Sequence, residues 1–330
     1  MENKIVKISH ISDTHVFFDG VLSNVVFPDN NILSNEFYFK YFKFTRSMHL
    51  FSQDLFKKVL KYLYKKNIDH VCHTGDVSSF NVEGEFSGTK KMIMRYLVKD
   101  KNPCDVMSIV PGNHDMRNYK RFDKCDSLFW KYFGCFCPKD CHPICKRTKQ
   151  QIFPRVKLVC DSKVMIILFD STLDSSIADY SSIKDNGEIR DKELELTSII
   201  INKKQEKLEK EPFKIIILHH SPIKRLNSTY VNAVSGLKRN DRKKFMKFCK
   251  KYNISLVLNG HFHTLKLKKI DGIYVSDAGT CTRNSLPFIR SGRTGYNIYY
   301  IDTDKNRIKK IKRRELNYIT KKFSSKYLKI

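Results

Sequence analysis

Apolar runs of five or six residues recur along the chain, and five of them break off into a polar cluster. Residues 5–9 lead to Ser12-Asp13-Thr14-His15, and residues 68–72 to His73-Thr74-Gly75-Asp76. Residues 105–110 run into Pro111-Gly112-Asn113-His114-Asp115, residues 213–218 into His219-His220-Ser221-Pro222, and residues 254–258 into Asn259-Gly260-His261-Phe262-His263. Runs this short, stopped by Gly, Pro and small polar residues, predict strands that end in turns. Between them the spacing becomes helical. Ser52 is placed to cap a helix whose apolar side is Leu55, Phe56, Val59, Leu60 and Leu63. A second helix is expected over 83–98, a third over about 191–210, and a fourth capped by Asn240 with Phe245, Phe248, Cys249 and Tyr252 in register.

Residues 156–160 and 164–169 predict a hairpin, and from 264 onward strands follow one another at 264–270, 272–276, 296–302 and 307–313. Helices alternating with strands, then strands alone, predict an α/β protein: a four-layer α-β-β-α sandwich of two mixed sheets flanked by helices. No linker or internal repeat divides the chain, so residues 1–314 are expected to form a single domain. It carries an aromatic insert at 16–50, long enough to cover the strand ends or pack on the sheet edge, and a cysteine-rich insert at 119–152. Residues 315–330 are expected to be a basic C-terminal tail, partly disordered.

Composition narrows the class. At 41% hydrophobic residues over 330, the chain can bury a large core, and no apolar run approaches the roughly 18 residues needed to span a bilayer. No signal-peptide pattern precedes the first strand, so the expected location is cytoplasmic. The net charge of +28 favours anionic partners. Much of it is lysine spread along helices, so nucleic acid is compatible with the charge without being the favoured partner. Cys135, Cys137, Cys141 and Cys145, with Cys125 and His142 nearby, are spaced unlike common zinc knuckles. Free thiols are the first reading there, with a structural zinc or a redox-labile disulfide as alternatives.

The polar clusters change the picture most. Six of the eleven histidines fall in the clusters at 12–15, 73–76, 219–222 and 259–263. In open α/β sheets, ligands bind at the carboxyl ends of strands, which is where the clusters lie. Gathered at one edge, Asp13, His15, Asp76, Asn113, His219, His261 and His263 offer two carboxylates, one amide oxygen and four imidazoles. That mixture suits divalent Mn, Fe, Zn or Co and is too rich in nitrogen for Ca or Mg alone. Seven ligands exceed the needs of one ion, and two ions sharing a carboxylate use them economically. His10, His49, His70, His73 and His142 are expected to be ordinary core or surface histidines, Arg283 a solvated arginine, and Asp115 a residue that orders its turn.

Taken in order, Asp13-Thr14-His15, Gly75-Asp76, Gly112-Asn113-His114-Asp115, His219 and Gly260-His261-Phe262-His263 resemble the five-block signature of calcineurin-like metallophosphoesterases, across about residues 4–302. Val110-Pro111 before the third block and His219-His220-Ser221-Pro222 look most like the bacterial-type phosphodiesterases grouped with class III cyclic-nucleotide phosphodiesterases. The resemblance implies that one metal takes Asp13, His15 and His263, that a second takes Asn113, His219 and His261, and that Asp76 bridges them. It implies attack by a metal-activated hydroxide on a phosphodiester or phosphomonoester, with His114 as acid or transition-state stabiliser and His220 outside the ligand set. Three rivals differ. Phosphoprotein phosphatases of the superfamily carry an acidic residue and an arginine shortly after the bridging aspartate, where this chain has Val77-Ser78-Ser79-Phe80. A nuclease-type member acting on nucleic acid would suit the charge, yet no capping region follows Asp302. A catalytically silent scaffold would be expected to have lost ligands that this chain retains.

Overall fold

The computed structural model describes residues 5–16, 51–116, 127–136, 153–172, 186–223, 236–284 and 293–330. Its strands, in chain order, are β1 (Ile5–Ile11), β2 (His70–His73), β3 (Met107–Ile109), β4 (Arg155–Val159), β5 (Val164–Leu168), β6 (Phe213–Ile217), β7 (Leu256–Asn259), β8 (Leu265–Ile270), β9 (Ile273–Ala278), β10 (Gly295–Asp302), β11 (Arg307–Asn317) and β12 (Lys322–Leu328). The helices are α1 (Gln53–Lys65), α2 (Glu83–Ile93), α3 (Pro103–Val106), α4 (Leu128–Phe133), α5 (Asp191–Gln205) and α6 (Arg239–Lys251).

The strands form two mixed sheets, ordered β12-β11-β10-β1-β2-β3 and β4-β5-β6-β7-β9-β8. In the first, β1, β2 and β3 are parallel while β10, β11 and β12 add antiparallel. In the second, β5, β6, β7 and β9 are parallel, with β4 and β8 antiparallel at the edges. A strand covered on both faces must be apolar on both, which is why β6 reads as an apolar run interrupted only by Lys214, whose ammonium bonds Glu211 and the Tyr252 carbonyl. Phe213, Ile215 and Ile217 turn toward the first sheet, where they meet Ile8, Val110 and Tyr299. Ile216 and Leu218 turn the other way, onto Phe245 and Phe248 of α6. On the far side of the first sheet, Ile11, Val71 and Met107 pack against Phe56, Leu60 and Leu63 of α1 and Phe86 of α2. Three apolar seams between four layers match the expected α-β-β-α order.

Several boundaries differ from expectation. Ser52 does cap α1, its side chain accepting from the Leu55 N–H. The helix expected over 83–98 is α-helical only to Ile93 and continues as a π-helical turn from Met94 to Val98. The strand expected from 105 starts at Met107, because Asn102 caps a single helical turn with Pro103 in its first position. Asn240 is already inside α6, which begins at Arg239.

The largest correction concerns residues 315–330. Rather than a disordered tail, they carry the end of β11 and the whole of β12, paired from Ile311↔Leu328 to Asn317↔Lys322. Few of their side chains are withdrawn from solvent: Leu316 is buried, and Phe323 and Leu328 pack against the seams. So thin an apolar signal reads as a tail in a local window. The aromatic insert beyond Val16 lies outside the described residues, as do Cys125, Cys137, Cys141, Cys145, His49 and His142. Cys135 is described, and its thiol is exposed. Among the described residues, no helix is long and apolar enough to cross a membrane.

Candidate metal centre

The loops after β1, β2, β3, β6 and β7 meet at one rim. Backbone bonds hold the first two together: Asp13 N–H to the Gly75 carbonyl at 3.0 Å and His15 N–H to the Asp76 carbonyl at 3.0 Å. Across the seam, the His261 N–H donates to the Asp13 carboxylate at 3.2 Å, and Gly260 N–H to the His219 carbonyl at 3.0 Å. Five of the predicted residues adopt left-handed backbone conformations: Asp13 (φ 49°), His15 (43°), Asp76 (54°), His261 (73°) and His263 (51°). For side chains larger than glycine this conformation is costly, and such strain concentrates where a site over-determines the backbone. Two glycines make room for the carboxylates. A Cβ on Gly112 would stand 2.1 Å from Asp76 Oδ1, and one on Gly260 2.5 Å from Asp13 Oδ2.

The side chains form two nests that share one carboxylate. In the first, the donor atoms of Asp13, His15, Asp76 and His263 all lie within 4.8 Å of one another. His15 Nε2 is 3.3 Å from His263 Nε2, and His263 Nε2 is 3.2 Å from Asp13 Oδ1. In the second, Asn113 Oδ1 stands 3.0 Å from His219 Nε2 and 3.1 Å from His261 Nδ1. Asp76 Oδ2 joins the two, 3.5 Å from His15 Nε2 and 3.4 Å from His219 Nε2. All seven predicted ligand residues are therefore brought together. His114 lies beside them: its ring meets that of His15 edge-on at 4.9 Å, and its backbone N–H donates to Asp76 Oδ1 at 2.9 Å.

The surroundings decide which ring nitrogens face inward. His15 Nδ1–H donates to the Ser78 carbonyl at 3.0 Å and His219 Nδ1–H to the Thr74 carbonyl at 2.7 Å, leaving both Nε2 atoms turned to the carboxylates. Orienting bonds of this kind accompany metal-ligating histidines. His114 Nδ1–H is likewise committed, to the Ser79 carbonyl at 2.9 Å. Asp115 accepts from the Gly112, Ser78 and Val77 N–H groups and so orders the turn, as expected. His220 bonds Ser171 Oγ through Nδ1 at 3.0 Å and packs its ring 4.6 Å from that of His261.

Burial alone would raise both carboxyls. The imidazoles outweigh it: His263 beside Asp13, and His219 and His114 beside Asp76, hold them below the usual carboxylate range. Burial pulls the His219 imidazole down, but Asp76 and Asp13 outweigh this in turn and raise it to about 10. A buried pair of carboxylates thus draws positive charge into the centre. Two imidazole Nε2 atoms opposed at 3.3 Å, with carboxylate oxygens beside them, are a donor set that fits cations. His10 and His73, by contrast, are buried core histidines. Burial lowers each to about 3, and each bonds a threonine hydroxyl, Thr74 and Thr14 respectively.

Sequence reasoning missed the groups that hold the ligand loops. Thr280 Oγ1–H donates to the Asp13 carbonyl at 2.7 Å, and Thr282 Oγ1–H to the Thr14 carbonyl at 2.6 Å. Glu85, fully buried, receives the Ser79 and Phe80 N–H groups and so holds the loop whose carbonyls orient His15 and His114. Phe51 packs on the His15 ring at 4.8 Å. The alternation of Thr280 and Thr282 just after Gly279 was the available signal, while an isolated glutamate at 85 offers none.

The family model for the calcineurin-like phosphoesterases matches residues 6–265. A solved dimetal phosphatase from Danio rerio superposes with a TM-score of 0.57 at 11% identity, over 97% of this chain and 98% of that one. A purple acid phosphatase from yellow lupin superposes at 0.53 and 11% identity, over 98% of this chain and 53% of the lupin chain. At such identities the likeness is one of fold. Among curated proteins, no sequence matches.

Proposed function

The chain belongs to the calcineurin-like phosphoesterase family, and on that footing we propose that it is a dinuclear-metal-dependent hydrolase of a phosphodiester or phosphomonoester. The observation that carries the proposal is the position of Asp76 Oδ2, common to an imidazole nitrogen from each nest at 3.5 and 3.4 Å. One carboxylate oxygen so placed is suited to link two cations. Asp13, His15 and His263 would hold one, and Asn113, His219 and His261 the other. When bound, a pair of Mn, Fe, Zn or Co ions supplies a water of lowered pKa as nucleophile and positive charge to offset that building on phosphorus.

The rest of the chemistry falls to the chain's own residues. The carbonyls of Ser78 and Thr74 keep His15 and His219 in the tautomer whose Nε2 can ligate. His114, its Nδ1–H bonded to the Ser79 carbonyl, would use Nε2 to carry a proton to the departing ester oxygen or to stabilise charge on the phosphoryl group. Asp115 and Glu85 keep the two loops beneath it in register.

Turnover of aryl mono- and diesters, cyclic nucleotides and single-stranded DNA under Mn, with metal content measured on the same samples, tests the proposal and separates monoester from diester preference. Asp76→Asn is expected to lose activity and metal by more than the roughly 100-fold typical of residues that only orient a ligand. Full turnover by this variant in the presence of chelator would sink the reading. Wild-type protein with neither metal nor activity would make the chain a silent scaffold.

A further inference from the structure

The C-terminal hairpin concentrates charge far beyond the chain's average. From residue 307 to residue 330 there are ten basic side chains and one acid, Glu315. Strand geometry sorts them. In β11, Ile311, Arg313 and Glu315 turn toward the second sheet: Ile311 joins the seam, Arg313 donates to Asn297 Oδ1 at 3.1 Å, and Glu315 pairs with Arg293 and Lys326. Lys310, Lys312 and Arg314 take the opposite face, on the side of α1, where Lys310 is exposed and Lys312 and Arg314 are half-buried, bonded to Tyr62 OH at 3.3 Å and Ser325 Oγ at 2.6 Å respectively.

That face interleaves cations with rings. The register sets Lys310 opposite Tyr300 and Lys312 opposite Tyr327. The Lys310 ammonium lies 4.4 Å from the Tyr300 ring centre and 5.3 Å from that of Tyr327, and the Arg314 guanidinium lies 4.3 Å from the Tyr62 ring of α1. Among the described residues, none of Lys310, Lys312 and Arg314 is paired with a carboxylate. Along α1 the same face continues through Lys58 and Lys66, one helical turn to either side of Tyr62. Tyr327, on the edge strand, is 60% exposed.

We propose that this face binds single-stranded nucleic acid. Cations two residues apart on a strand stand about 6.6–6.8 Å from one another, a row that an extended phosphate backbone can follow. Their charge supplies affinity by releasing counterions. A lysine poised over an exposed ring is held weakly, so an incoming base can take its place on Tyr327 while the ammonium moves to the flanking phosphate. A lipid surface fits less well. It asks for an apolar face, whereas here the apolar side chains that stand most exposed, Ile319 in the turn and Ile330 at the last position, lie off the sheet face.

The test is fluorescence anisotropy of the full chain with a labelled single-stranded 20-mer across a salt series, with EDTA present so that no ester is cut. Removing three face charges (Lys58→Gln, Lys310→Gln, Lys312→Gln) should reduce the slope of log K against log salt by about 2, at about 0.7 for each phosphate no longer neutralised. A control triple on the opposite side of the molecule (Lys192→Gln, Lys203→Gln, Lys247→Gln) should leave it unchanged. Tyr327→Ser should weaken binding about five- to hundredfold at fixed salt with the slope intact, as removal of a stacking ring does. Thermal unfolding of each variant verifies folding. Equal slope changes for the two triples, or undiminished binding by Tyr327→Ser, would overturn the proposal. So would binding to phosphatidylcholine vesicles containing phosphatidylserine with none to the oligonucleotide.

Discussion

The two nests that share Asp76 differ in their relation to solvent. His263, in the first, leaves 26% of its side chain open, whereas His219, in the second, is wholly buried and spans the seam to the Thr74 carbonyl. His263 stands on the entrance side, whereas His219 is part of the core. The same residue type at equivalent chemical duty therefore carries different structural weight, and substitutions can separate the two kinds of contribution.

The largest effect should come from a residue that belongs to neither nest. His114→Ala is expected to lower kcat by about 10²–10⁴, the usual range for a missing proton donor, with metal content unchanged. Metal loss on the same scale would move His114 into the ligand set. Next, His219→Ala and His263→Ala should both lose metal, but only the former should lose much stability. Truncating His219 leaves a buried carbonyl and carboxylate without their donor, at a cost of about 2–4 kcal/mol. Its Tm should fall by about 3–6 °C, while His263→Ala stays within about 2 °C of wild type. Equal falls in calorimetry would erase the distinction between entrance and core.

A smaller effect is expected from the threonines that pin the first nest from below. Thr282→Val should cost about 1–2 kcal/mol by stranding the Thr14 carbonyl. Metal affinity should drop about tenfold or somewhat more, measurable by competition with a chelator. The smallest effect concerns pH. Burial pushes Glu85 from its ordinary value of 4.5 up to about 8, against the opposing N–H groups of Phe80 and Ser79. A raised carboxyl gives its full stabilisation below about pH 4.5 and loses it as pH climbs through about 8. The Tm of the wild type relative to Glu85→Gln should therefore decline between about pH 5 and 8, by about 2 °C or more. A pH-independent difference would mean that Glu85 stays ionised in the fold.

The strands that lead to the candidate ligands were legible because each is a parallel strand with an apolar run cut short by Gly, Pro or a small polar residue. Gly112 and Gly260 could be picked out as turn residues, although the reason each must lack a Cβ is a carboxylate from another loop. β12 was illegible for the opposite reason. An exposed edge strand that sends only Phe323 and Leu328 into apolar seams has no period strong enough to distinguish it from a tail. Glu85 and Thr280 were missed because a residue that bonds the backbone of another loop leaves no mark on its neighbours.

Taken alone, the order of residues determined the layers, the carboxyl ends of the strands that lead to the candidate site, and a candidate set of cation-binding groups, since each follows from patterns a few residues long. Only the tertiary structure decided how those groups are divided: Asp76 between two nests, His15 and His219 in one tautomer, His220 against His261, and a cationic face built from α1 and a hairpin some 250 positions later. Hydrogen bonds and close approaches depend on distances of a few ångströms between segments that the chain itself keeps far apart, and those distances exist only once the sheets have packed.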